Sequence, residues 1–322
     1  MRPGRSVVTS SASPEDQAEG RTGVHAADHQ RQRREAGWAP NRPPVWLLVV
    51  AVIGAALLLS VAQTSWFAPT DEQAYWRAAT RLAEGQPVYS TTSVPGDSSY
   101  GYWYPPPLVQ VLAPFTRFVS PEAFTVAWTL LLLLCLWWLA GRSVFVGLAL
   151  IAFLPVAVEL RSRNIHLVLA VLVVLALRRS WAFWVPATAI KVGPVIGIVY
   201  LAAARRWREA ALVVALGAAV LAVSVVLSPG LWADYVAVVG AQAGTSGASL
   251  VPIPYPLRLA VAAVLAGVAG RVDGWRGEVL VVVAITLANP TLWATALSLL
   301  VAIVPLVRTR RQPVANPEVS PA

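Results

Sequence analysis

Between residues 45 and 307 the chain is a succession of apolar runs, most of them near the ~20 residues a helix needs to cross a hydrocarbon core. The period-2 alternation of a β-barrel is missing. Lipid offers no partners to backbone N–H and C=O groups, so each run is expected to be helical. Spans are expected at about 44–62, 122–140, 143–159, 165–177, 209–228, 257–270, 277–288 and 291–307. The stretch YPPPLVQVLAPFTRFVSPEAF interrupts the series with five prolines and an arginine, so 105–119 is expected on the outer surface or as a re-entrant segment. Segment 181–204 suits one crossing or two half-crossings. Its centre, AIKVGPVIG, puts Lys191, Gly193 and Pro194 at the turn of a broken helical pair. Residues 229–256 are expected to form an external loop rich in Gly, Ser and Pro.

The most polar stretch inside this series is APTDEQAYWRAATRLAEGQPVYS, 68–90. Thr70 followed by Gln73 matches a capping box, Pro69 precedes it, and Gly85 is a helix stop. Tyr75, Ala78, Ala79 and Leu82 form one apolar face, which predicts a short amphipathic helix lying on the membrane surface. Asp71 then falls in the first turn, where the helix dipole favours its ionised form. Such an acid either stabilises the helix by up to about 1 kcal/mol or serves as a general base, taking a proton from an attacking hydroxyl.

Composition turns this pattern into a class. Of 322 residues 57% are hydrophobic and 13% charged, more apolar surface than a soluble domain could hide. The expectation is an all-α, polytopic membrane protein of about 8–10 transmembrane helices with external juxtamembrane helices. Residues 1–43 lack apolar periodicity and are expected to be a disordered cytoplasmic tail and no signal peptide; 44–308 form the membrane domain; 309–322 form a second cytoplasmic tail. Cys135 is the sole cysteine, which excludes a disulfide framework and a cysteine metal site. The net charge of +9 comes from arginines clustered between apolar runs, a signature of membrane topology and not of nucleic-acid binding. Placing those clusters in the cytoplasm leaves Asp71 and RSRN, 161–164, outside; a competing layout makes 105–119 a full span and strands one basic cluster outside.

Lys191 is the only lysine and lies in an apolar segment. Such a residue either faces a cavity and binds phosphate, or snorkels to the interface or pairs with Glu159. Arg161 and Arg163 carry guanidinium forks suited to phosphate oxygens, or anchor the interface. Asn164 and His166 open the next span, His166 as packing or as a catalytic group. Tyr102, Trp103, Tyr104 and Trp76 suit either sugar stacking or the membrane interface. The external acids show no metal-ligand spacing, so no metal and no cofactor is expected.

The order Asp71, Tyr75, Ala78, Ala79, Leu82, Gly85, Pro87, Tyr89, then Tyr104, Pro105 and Pro106, resembles the first external loop of bacterial polyprenol-phosphate-mannose-dependent α-1,2-mannosyltransferases. These are membrane glycosyltransferases of GT-C type, glycosyltransferase family 87. A second block agrees: Asn164 opening a span, a basic turn, a helix interrupted at Lys191 and Pro194, then Arg-Arg-Trp at 205–207. The resemblance covers about 45–210.

It implies a multi-pass GT-C-like enzyme of the plasma membrane that moves a mannosyl unit from a polyprenyl-phosphate sugar to a glycan or glycolipid acceptor on the extracytoplasmic side. Asp71 is then the base. Lys191, Arg161, Arg163, Asn164, Tyr75, Tyr104 and His166 are the substrate-binding candidates. Two departures stand out: relatives commonly carry Gly-Gln where this chain has Ser162 and Arg163, and many show a histidine near the start of a late span where ANPTLWATALS has none. A polyprenyl-phosphate-arabinose donor, a non-catalytic lipid-phosphate-binding relative and a transporter are the alternative readings.

Overall fold

The length of the apolar runs decides the first-order architecture. A computed structural model of the chain describes residues 43–64, 70–89, 101–242, 250 and 253–308. Apart from Pro43, both expected tails lie outside the described residues. Their regular structure is all helical, with no strand among the described residues. Helices α1 (Val45–Thr64), α4 (Pro121–Leu139) and α10 (Trp207–Leu227) have 20, 19 and 21 residues, enough at 1.5 Å each to cross about 30 Å. Their outward faces carry Val52, Leu59, Leu130, Leu134, Val223 and Val226 in the open, which suits lipid and not water. The chain is a polytopic helical membrane protein.

Local chemistry sets the starts and breaks. Ser120 accepts a hydrogen bond from Ala123 N at 3.2 Å and Pro121 occupies the first turn, which together start α4. The expected span 143–159 is not one rod. It is α5 (Val144–Ile151) and α6 (Leu154–Ser162), bent by 90° at the break. Pro155 in the first turn of α6 accounts for the break, since it has no N–H to offer the end of α5 and its ring crowds the carbonyl four residues back. Segment 105–119 forms α3 (Pro106–Leu112) and a 3-10 turn (Ala113–Arg117), too short to cross, as its prolines predict.

The chain continues through α7 (His166–Arg178) and α8 (Trp184–Ile190), then a break at Lys191, a 3-10 turn (Gly193–Ile196) and α9 (Gly197–Ala203). The interruption thus falls where AIKVGPVIG predicts it. Residues 229–242, expected as loop, form helix α11 (Pro229–Gln242). Their own composition, Ala and Val with Pro229 at the start, supports a helix; the glycines and serines that suggest a loop cluster after it. Helices α12 (Tyr255–Ala269) and α13 (Trp275–Leu287) follow, then a 3-10 stretch (Ala294–Ala302) and α14 (Ile303–Arg308).

Packing places α7 at the centre. His166, Leu167, Leu169, Ala170, Val173, Val174 and Ala176 are all buried, so the helix is covered nearly all round, by α4, α8 and the 294–302 stretch. On the flank α1 lies against α5 so closely that a Cβ on Gly54 would sit 1.6 Å from Leu148 O; only a small residue permits that approach. This arrangement brings the N-terminus of α7 to the corner after α6, beside the Lys191 break.

Candidate active site

The amphipathic stretch forms helix α2 (Asp71–Ala83). At its C-terminus Gly85 takes φ +71, and Gln86 N donates to Arg81 O at 2.8 Å, closing the helix as glycine-ended helices do. At its N-terminus Thr70 is the capping residue, but the capping box does not form. The Thr70 hydroxyl is buried without a partner, and the Gln73 side chain accepts from Arg77 instead. The apolar face is Tyr75, Ala78 and Ala79, with Leu82 half-buried at its edge. It packs on α3, the Ala113–Arg117 turn and α4, with Trp76 stacked on Phe124 at 4.7 Å.

That docking directs the first turn of α2 at the corner between α6 and α7. Asn164 Nδ2 donates to Asp71 Oδ2 at 2.5 Å. The Asn164 amide oxygen accepts from Ile165 N at 2.7 Å and from the Tyr104 hydroxyl at 2.9 Å. Two donors on the oxygen orient the amide, so its nitrogen faces the carboxylate. Behind it, the Tyr75 hydroxyl donates to the Tyr104 hydroxyl at 2.9 Å, and the two rings meet edge to face at 4.9 Å. Burial, then the nearby Asp71 charge in the case of Tyr104 and Tyr104 itself in the case of Tyr75, keeps both phenols protonated by raising them well above the usual range. They act as donors throughout.

Asp71 itself is pushed up to about 6, first by burial and then by the charge of Glu159; Lys191 and the Asn164 hydrogen bond pull the other way. A carboxyl so placed is ionised at neutral pH yet more basic than an exposed aspartate, which suits proton abstraction.

One residue along, Glu72 is fully buried and takes Arg163 Nη1 at 3.2 Å and the Thr125 hydroxyl at 3.3 Å on one oxygen. Arg163 has left-handed backbone, φ 51 and ψ 43, where glycine is the ordinary choice. Its carbonyl accepts from Trp128 Nε1 at 2.9 Å. The arginine is held at both ends, and through Glu72 it fixes the start of α2 against the corner that carries Asn164.

The third part of the cluster is a relay. Glu159 Oε1 accepts from His166 N at 2.6 Å and Leu167 N at 3.3 Å, and Oε2 faces His166 Nδ1 at 3.1 Å. On the far side of the ring, His166 Nε2 lies 2.6 Å from Lys191 Nζ. An ammonium can only donate, so Nε2 accepts and Nδ1–H points at Glu159. Lys191 Nζ also stands 5.3 Å from the centre of the Tyr104 ring. Tyr104 therefore touches both halves, its hydroxyl on Asn164 and its ring under Lys191.

Of the residues singled out in the sequence, the fold brings Asp71, Tyr75, Tyr104, Asn164, His166 and Lys191 into one network. Arg163 is committed to Glu72, and Arg161 stands exposed in the last turn of α6, joined to the network by no bond among the described residues. Sequence reasoning missed Glu72 and gave Glu159 only as a neutraliser of Lys191. An acid within the apolar run LPVAVEL is the same signal that singles out Lys191 and could have found Glu159; nothing local distinguishes Glu72 from a surface acid.

No curated protein and no solved structure matches the chain. The profile of glycosyltransferase family 87 matches residues 102–318, two thirds of the sequence. The match begins at Tyr102, so it includes Tyr104, Glu159, Asn164, His166 and Lys191 and leaves α2 with Asp71 outside. A polytopic helical membrane protein whose buried acid, amide, histidine and lysine converge at one corner of the bundle thus belongs to glycosyltransferase family 87, a family of glycosyltransferases.

Proposed function

We propose that this glycosyltransferase moves a mannosyl or closely related unit from a polyprenyl-phosphate sugar to a hydroxyl of a cell-envelope glycan or glycolipid, at the extracytoplasmic face of the plasma membrane. The observation that carries the reading is the Asp71 carboxylate, raised to about 6 and oriented by Asn164, in a network that also holds the chain's one lysine.

In this reaction the acceptor O–H gives its proton to Asp71 while its oxygen bonds to the anomeric carbon. The bond from that carbon to the phosphate oxygen breaks, and polyprenyl phosphate departs with the electron pair. Attack opposite the leaving group inverts the sugar's configuration. Lys191, with Tyr104 beneath it and His166 beside it, answers the charge that grows on the leaving phosphate. Asn164 and the two tyrosines hold the base; they need no proton change of their own. Glu72 and Arg163 keep α2 in place. Arg161 is a contact for the lipid phosphate outside the network.

Asp71→Asn keeps the size and the Asn164 contact but removes the base. Transfer from a polyprenyl-phosphate mannose in isolated membranes should fall by roughly 10²–10⁴-fold, with protein abundance unchanged. Transfer near the wild-type rate would remove Asp71 from the mechanism.

A further inference from the structure

The described residues hold a second concentration of charge, at the other end of α7, where Arg178 lies 12 residues on from His166 and so about 18 Å away. There a cleft of about 700 Å³ opens between the end of α7 and the start of α10. Five arginines line it, Arg178, Arg179, Arg205, Arg206 and Arg208, against one lining acid, Glu209. Glu209 is spent on Arg206 through a two-pronged pair, and Arg178 is paired with Glu278 at 2.6 Å. Among the described residues no ion pair engages Arg179, Arg205 or Arg208.

Arg205 adds an independent observation. It ends α9 with left-handed backbone, φ 59, and Arg206 N closes the turn onto Leu201 O at 2.9 Å. Glycine fills the equivalent position of α2 without strain. Arg163, equally strained, has a guanidinium partner inside the fold in Glu72. At Arg205 the same backbone cost of roughly 1 to 2 kcal/mol is borne for a guanidinium that the fold leaves facing the cleft.

The rim is not polar. Trp181 and Trp207 flank the arginines, Trp207 standing 65% exposed, and Leu212 continues to Leu216 one turn on along the open face of α10. A concave guanidinium cluster with tryptophans at its edge and an apolar track leading away matches a molecule with a phosphate head and a hydrocarbon tail.

We infer that this cleft binds the phosphate head of an anionic phospholipid, with Arg179, Arg205 and Arg208 on the phosphate oxygens and an acyl chain along Leu212 and Leu216. The site is distinct from the Asp71 network and does not depend on the proposed transfer.

Native mass spectrometry of the full purified chain, titrated with phosphatidylglycerol and separately with phosphatidylcholine, tests it. The expected result is preferential retention of phosphatidylglycerol, reduced about fivefold by each removed guanidinium, in Arg179→Gln, Arg208→Gln and Arg205→Gly. The glycine variant separates binding from folding, because it relieves the left-handed strain: its thermal stability should hold or rise while lipid preference falls. Equal retention of both lipids, or a preference untouched in all three variants, would overturn the proposal. So would displacement of bound phosphatidylglycerol by equimolar inorganic phosphate, which would make the occupant a free anion and leave the apolar track without a role.

Discussion

The two ends of α7 use charge in opposite ways. At the His166 end Glu72, Glu159, Arg163 and His166 are each less than 4% exposed and each has a named partner. At the Arg178 end the arginines are exposed or half-exposed, and several of their bonds go to helix-terminal carbonyls, Arg178 to Leu306 O and Arg308 to Ala140 O. Burial makes the first set expensive to break and able to shift the chemistry of Asp71. Exposure makes the second cheap to alter, and its sum of charge matters more than any one pair. On the readings proposed above, chemistry belongs to the first end and lipid contact to the second.

The largest effect should come from breaking the buried pair. Arg163→Ala leaves the Glu72 carboxyl buried with its ion-pair partner gone, and is expected to cost about 3–5 kcal/mol. It should also lower transfer, because α2 loses its hold on the corner that carries Asn164. Thermal unfolding in detergent against a transfer assay checks both. If Arg163→Ala retains full stability, the contrast between the two ends fails at its strongest point. Arg178→Gln sits at the other extreme. Its pair with Glu278 is 35% exposed on the arginine side, so the expected loss is below about 1 kcal/mol, with transfer unaffected; a larger loss would show that this end, too, is held by individual pairs.

Much of the architecture was legible because lipid narrows the choice. An apolar run can only be a helix there, which is why α1, α4 and α10, and the shorter α7, α12 and α13, fall close to where hydropathy puts them. The 90° bend between α5 and α6 was missed although Pro155 was in plain view, since a span average hides where one proline falls. Helix α11 was missed for a similar reason: the Gly and Ser content of the whole of 229–256 masked an Ala- and Val-rich first half.

For the site, Asp71 stood out in the most polar stretch of the series, Asn164 at the opening of a span and Lys191 within an apolar segment, but their convergence is tertiary. Asp71 and Asn164 are 93 positions apart, and no local pattern joins them. The capping box did not form: Gln73 N bonds to the Thr70 carbonyl at 3.2 Å and the Gln73 side chain accepts from Arg77, something the pattern of Thr70 and Gln73 cannot register.

The central claim is that Asp71 is the base and that its surroundings set its basicity. The pH dependence of transfer under donor-saturating conditions tests this most directly. Because the folded value is raised to about 6, activity should be lost as pH falls through about 6. Asn164→Ala, which removes a hydrogen bond that favours the ionised form, should move that acidic limb upward. A limb near the ordinary aspartate value of about 4, or an acidic limb near 6 that persists in Asp71→Asn, would contradict the account.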